Sequence, residues 1–403
     1  MYMKYLHKFE QTALKLLLSA RKAQSCAVEL TYKSGSRSLI PRTASNHQQY
    51  PAISPFCRVY HSTARDRFAM KTNLELIHDV DGFPYPKTDP EGHKRWQDDI
   101  WTLVWDDENG SYPIGYILDR VYKELLRVPV RIKGEMDFNL KNRTIKLFGN
   151  LETEEERSAQ AAKLAEYWRE KETFKLLKGW RNEVWPVYSR KGELLFSIER
   201  AAMGLFGTMR YGVHMIAYIK DETAPFGFKF WVPRRAPDKS TFPNMLDNTV
   251  AGGLCTGEDP FECLVREADE EASLPEEVVR SGAKFVGNVT YIYIYITDEK
   301  QVGEGGFIYP ECQWVYELEL PKDVIPMPKD GEVAEFFLSD VNDTKKSLTN
   351  GEYKSNCALC VIDFLIRRGV LTDENEPAIK EIQNRIHREM PFPGPHNTKQ
   401  TQS

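Results

Sequence analysis

The stretch from Asp259 to Pro275 constrains this chain more than any other. Asp259 is a side-chain acceptor followed at once by Pro260 and, three residues on, by Glu262, the arrangement that starts a helix. Phe261, Leu264, Val265, Ala268 and Ala272 then fall on one helical stripe, and Pro275 stops the helix. That stripe has to enter a core. At about 100° per residue, Glu267 and Glu271 stand one turn apart with Glu270 close beside them, off the apolar face. Like charges at this spacing cost an isolated helix roughly a few tenths of a kcal/mol, so the helix needs a cation, and Arg266 supplies only part of it. Hard oxygen ligands grouped in this way suit Mg²⁺ or Mn²⁺, which keep several waters and bridge to phosphate oxygens. Ala251-Gly252-Gly253, just upstream, lets backbone approach the same place. A glycine loop, an acidic helix and a divalent cation together make a site for a small-molecule diphosphate.

The rest of the chain supplies a scaffold around that helix. Tyr211, Val213, Met215, Ala217 and Ile219 alternate with Gly212, His214, Ile216 and Tyr218, which predicts a partly buried strand, and Phe228 to Val232 predicts another. Further strands are expected over Lys284–Thr297 and Cys312–Leu320, with a helix from Asn356 to Arg368. Upstream, strands are expected within Val130–Leu147. A long polar helix follows, capped by Thr153 with Glu156 three residues on, running to Lys178 and ended by Gly179. This is a mixed α/β (α+β) chain, and 403 residues make two or three domains.

Composition excludes several functions. No apolar run reaches the roughly 18 residues that a membrane-spanning helix requires, so no membrane role is expected. Seven irregularly spaced cysteines make neither a disulfide framework nor a paired zinc site, and Cys357-x-x-Cys360 has no second pair. Residues 1–70 hold eleven Lys/Arg against three acids, +8, which leaves −13 on the remainder of a chain of net charge −5. An acidic body of this kind repels a nucleic-acid backbone, so no nucleic-acid partner is expected. The basic stretch itself has Leu6, Phe9, Ala13, Leu16, Leu17 and Ala20 near helical spacing among lysines and arginines, then a Ser/Thr/Arg-rich tract. That describes a mitochondrial presequence over residues 1–69, with a disordered tail, a start at Met70 and a cytoplasmic location as the alternative.

Set side by side, Gly252, Glu258, Arg266, Glu267, Glu270, Glu271 and Leu274 resemble the Nudix box, G-x5-E-x7-R-E-U-x-E-E-x-G-U with U a bulky aliphatic residue. Ala268 departs at the first U and Ser273 at the second glycine, where left-handed backbone costs a non-glycine residue about 1 kcal/mol and should alter the helix exit. The resemblance implies a Nudix α/β/α sandwich with a mixed sheet over residues 204–385, preceded by a smaller family-specific α+β domain over 70–203 and followed by a tail, 386–403. It implies Glu267 and Glu271 as metal ligands and Glu270 as a further ligand or a base for water. The Ala251 carbonyl would be a backbone ligand, and Gly252 and Gly253 part of the loop. Arg266 would orient the carboxylates, and Glu258 would pair with it or touch a further metal. The run Phe230–Arg235, Lys239, Phe242-Pro243, Leu246–Asn248 and Val250–Gly253, with Phe206-Gly207, Tyr211–His214 and Asp330–Val333, is similar to a eukaryotic Nudix branch associated with thiamin metabolism. That branch implies hydrolysis of oxidised thiamin diphosphates to monophosphates. Sanitation of 8-oxo-dGDP and a non-catalytic binding module are the alternatives, and a homodimer stays open. Arg234, Arg235 and Lys239 are candidates for binding the terminal phosphate, and Glu332 for an acid opposite the helix. His214, within an alternating strand, reads better as a satisfied core histidine than as a base.

Overall fold

The computed structural model describes residues 70–295 and 304–397; the presequence expectation for residues 1–69 lies outside them. A two-residue turn, Glu108-Asn109, followed by Gly110 at positive φ, joins β1 (Ile100–Asp107) and β2 (Gly110–Leu118) as an antiparallel pair. With β3 (Met136–Asn139) and β4 (Thr144–Leu147) they form a four-stranded sheet in the order β2-β1-β4-β3. Only part of Val130–Leu147 is therefore strand: Val130–Lys133 is one helical turn, ended by Gly134 at positive φ.

The helix behind this sheet starts as expected, with a reciprocal bond between Thr153 and Glu156, and covers Glu154–Glu170. It stops well before Gly179. Glu172 takes positive φ and the Thr173 N–H turns back to the Trp168 carbonyl, which lets Phe174 and Leu177 enter the core. A hairpin of β5 (Val184–Tyr188) and β6 (Leu194–Glu199) completes this part.

The second half is built on six strands: β7 (Arg210–Lys220), β8 (Phe228–Arg235), β9 (Val250–Gly253), β10 (Lys284–Ile294), β11 (Ile308–Glu319) and β12 (Val333–Ser339). Their order is β10-β11-β7-β8-β12, with β9 added to β7; β7 and β11 run parallel and the other pairs antiparallel. Tyr211 to Tyr218 are all buried, not half-buried as the alternation suggested, because both faces of this central strand are covered. Tyr211, Val213, Met215 and Ala217 pack against the helix Pro260–Ala272. On the other face Ile216 and Tyr218 pack with the helices Ser355–Arg367, Ile379–Ile386 and Asn73–Val80. The arrangement is an α/β/α sandwich around a mixed sheet.

Two domain boundaries differ from the sequence reading. The helix Asn73–Val80 belongs with the sandwich, since Leu76, Ile77 and Val80 are buried there. Residues 387–397 are not a loose tail: Arg388 and Phe392 are buried, and Arg388 donates to Asp81 and to the Phe83 and Pro84 carbonyls. No helix among the described residues is long and apolar enough to cross a membrane.

Candidate metal and diphosphate site

The acidic helix is Pro260–Ala272, and its start is the one its residues specify: Asp259 Oδ1 accepts from the N–H groups of Phe261 and Glu262, with Pro260 in the first turn. Its exit is made by Ser273, which takes the left-handed conformation that a glycine would, at φ 52°. The substitution therefore leaves the turn in place and carries strain, where an altered exit was expected.

Burying the apolar stripe fixes where the carboxylates stand. Cys263, Leu264, Val265, Ala268 and Ala272 are all buried against β7 and β11, which turns Glu267 and Glu271 toward β9. The Ala251 N–H donates to Glu271 Oε2 at 3.0 Å. Gly252 faces Glu267 so closely that a Cβ there would lie 2.2 Å from Glu267 Cγ, which is why only glycine serves. Glu271 is buried and Glu267 partly so. Burial pushes the Glu267 carboxyl up to about 7, with Glu270 and Glu258 adding to the effect and Arg266 opposing it. Burial raises Glu271 well above the carboxylate range, and the negative charges of Glu267, Asp247 and Glu332 act in the same direction.

Arg266 gathers the remaining acids. Its Nε and Nη2 donate to the two oxygens of Glu258 at 2.8 and 3.2 Å, and its Nη1 reaches Glu267 Oε1 and Glu270 Oε2, each at 2.9 Å. Of the two alternatives for Glu258, the geometry shows the pairing with Arg266; Glu258 also accepts from the Cys255 N–H, tying loop to helix. Among the described residues no three acidic, histidine or cysteine side chains converge as a ready-made metal cage. Arg266 holds Glu267 and Glu270, and Glu271 turns to the Ala251 amide. The donor set nonetheless fits a hard cation: a buried and a partly buried carboxylate one turn apart, each held toward protonation by desolvation.

The residues expected to bind terminal phosphate divide. Arg235 is not a free donor: it is buried, its Nη1 is 2.7 Å from Asp247 Oδ2, and its other nitrogens donate to the carbonyls of Phe242 and Thr241. Arg234 pairs with Glu335 at 3.1 Å at the sheet edge. Lys239 and Glu332 are each other's partners at 2.5 Å, and Lys239 holds the Glu332 carboxyl below its ordinary range against the opposing effect of burial. Glu332 is close enough to Glu271 to raise its proton affinity, so this pair borders the helix. His214 is buried, with Nδ1 2.9 Å from Asn248 Nδ2, and burial lowers its proton affinity to about 3, as a core histidine requires. The seven cysteines include five described ones, all free thiols. Asp247 escaped sequence reasoning as a site residue, because its link to Arg235 and Glu271 comes from the β8–β9 connection and no spacing announces it.

Residues 210–357 match the NUDIX domain model, and residues 110–210 match that of a domain of unknown function, DUF4743. An uncharacterised protein of Saccharomyces cerevisiae is 37% identical over 322 residues, which cover 79% of this chain and 92% of the yeast protein. Nudix hydrolase 20, chloroplastic, of Arabidopsis thaliana is 37% identical over 202 residues, half of each chain. A solved structure of a Deinococcus radiodurans protein aligns over 51% of this chain and all of its own at 20% identity, with a TM-score of 0.31. The yeast relative is matched over nearly its whole length, and the acidic helix stands inside the matched domain. This chain therefore carries a Nudix domain over residues 210–357 and belongs to one family with the yeast protein.

Proposed function

We propose that this protein is a divalent-metal-dependent Nudix pyrophosphohydrolase that cleaves the diphosphate of oxidised thiamin diphosphates, the oxo and oxy forms, to monophosphates. The observation that carries the reading is the pair Glu267 and Glu271, one turn apart and set against Gly252 and the Ala251 amide, with their protonation raised. Groups held in that state gain most from an opposite charge placed between them. Glu267 and Glu271 would hold Mg²⁺ or Mn²⁺, with Glu270 and the Ala251 carbonyl as the further oxygens. Bound there, the cation neutralises charge on the diphosphate oxygens.

The chain's own groups do the rest. Arg266 keeps Glu267 and Glu270 turned to one side of the helix, and Glu258 fixes Arg266. Glu270, which is exposed, would take a proton from an attacking water. Lys239, Glu332 and Arg234 are partly in water, where their pairs open at little cost. The substrate class rests on the similarity of Phe230–Gly253 and Asp330–Val333 to the thiamin-associated branch.

The test is a comparison of kcat/KM for thiamin diphosphate, its oxo and oxy forms and 8-oxo-dGDP with Mg²⁺ or Mn²⁺. The proposal expects the oxidised thiamin compounds to lead. A preference for 8-oxo-dGDP would keep the chemistry and replace the substrate, and no turnover of any of them would point to a binding module.

A further inference from the structure

The N-terminal half grips the glycine loop at several points. The Thr256 N–H donates to the Val184 carbonyl at 2.9 Å, and its hydroxyl reaches Ser197 Oγ at 3.0 Å. Trp185 is 4% exposed and lies against Gly253, where a Cβ would stand 2.5 Å from Cζ2 of the indole. The ring has little room to retreat. The guanidinium groups of Arg200 and Arg210 lie over it, each 5.0 Å from its centroid, and they are themselves paired with Glu183 at 2.8 Å and Glu311 at 3.2 Å. Gly253 is joined to Gly252, and the bare Cα of Gly252 is what gives Glu267 its place. A line of contacts thus runs from Trp185 through Gly253 and Gly252 to Glu267. Close-packed groups transmit displacement along such a line, because no void absorbs it.

We propose that Trp185 is a positioning residue for the metal site: through Trp185 and the Thr256 clamp, the N-terminal domain sets the loop against which Glu267 and Glu271 are placed. The domain supplies no reacting group in this arrangement. Its β5–β6 hairpin is the wall that keeps the loop at one distance from the acidic helix, and this is a role for the region matching the domain of unknown function. The inference rests on the reading of Glu267 and Glu271 as metal ligands, so its test includes one measurement that needs no metal.

Hydrogen exchange of the amides over residues 253–256 and Mn²⁺ affinity by electron paramagnetic resonance would be measured on the full chain. The variants are Trp185→Leu, Gly253→Ala and the two combined. Trp185→Leu should speed exchange in the loop, leave the helix Pro260–Ala272 protected, and weaken Mn²⁺ binding about tenfold or more, the usual effect of removing a group that orients a ligand. Gly253→Ala should do the same by pushing against the ring. The double variant should recover most of the loss, because the new methyl group occupies space the indole has left. Loop exchange and Mn²⁺ affinity unchanged in Trp185→Leu would overturn the proposal, as would single effects that simply add in the double variant. Should Trp185→Leu fail to fold, Thr256→Val keeps the side-chain shape and removes only the hydroxyl bond; faster loop exchange supports the clamp and unchanged exchange overturns it. A wild-type chain that binds no Mn²⁺ would sink the metal-site reading instead, while the exchange measurement would still decide whether Trp185 holds the loop.

Discussion

Glu267 and Glu271 are the residues on which the account turns, and their burial makes a pH prediction. Burial raises the Glu267 carboxyl from an ordinary 4.5 to about 7. Between those values the metal-free folded chain keeps a proton that the unfolded chain has released. Its stability should therefore fall as pH rises through this window, and chemical denaturation at pH 5 and pH 8 without metal checks it. A cation has to displace this proton and the one on Glu271, so Mn²⁺ affinity should rise with pH in a titration. His214 acts in the opposite direction. With its proton affinity lowered to about 3, it contributes stability that is lost as pH falls below the ordinary histidine value, 6.5. At this scale the box acids were legible because helical spacing alone groups Glu267, Glu270 and Glu271. The pairing of Arg235 with Asp247 was not legible, because its sequence neighbours give no sign of that partner.

The acidic helix shows how far local chemistry specifies an element. Asp259, Pro260 and the apolar stripe name its start and its buried face, and both are where they should be. Asp259→Ala should cost about 1 kcal/mol of stability by removing the acceptor for two N–H groups, measured by urea unfolding. Ser273→Gly should gain about 1 kcal/mol, since glycine adopts φ 52° without a Cβ penalty, and the melting temperature should rise. Both changes leave the carboxylates in place. The helix Glu154–Glu170 marks the limit of such reading. Its capping box was legible in Thr153 and Glu156, but its end is decided by Phe174 and Leu177 turning into a core that no local pattern reveals.

Across the whole molecule, the two halves share their structure. Ile292 and Ile308 of the six-stranded sheet and Phe307 just before it are buried with the N-terminal core, while the helix Asn73–Val80 is buried on the sandwich. Asp81 ties three distant segments together, accepting from the Ile292 N–H at 3.1 Å and from Arg388 Nη1 at 2.8 Å, within a network that includes Tyr85. Asp81→Ala should therefore cost about 3–5 kcal/mol in denaturant unfolding, because it leaves the buried Arg388 without its charge partner. For the same reason, deletion of residues 71–200 should abolish folding of the remainder, visible as loss of cooperative unfolding by circular dichroism. None of these long-range ties could be read from the sequence, where Asp81 and Arg388 stand 307 positions apart. The central claim, that Glu267 and Glu271 place a divalent cation on a diphosphate, is tested most directly by a Mn²⁺ titration of phosphate release from oxothiamin diphosphate with the full chain and with Glu271→Gln. The account predicts saturable, EDTA-sensitive release that falls on the order of a hundredfold in the folded variant, a loss of roughly 3 kcal/mol of transition-state stabilisation. Release that ignores EDTA, or a Glu271→Gln variant as fast as the wild type, would contradict it.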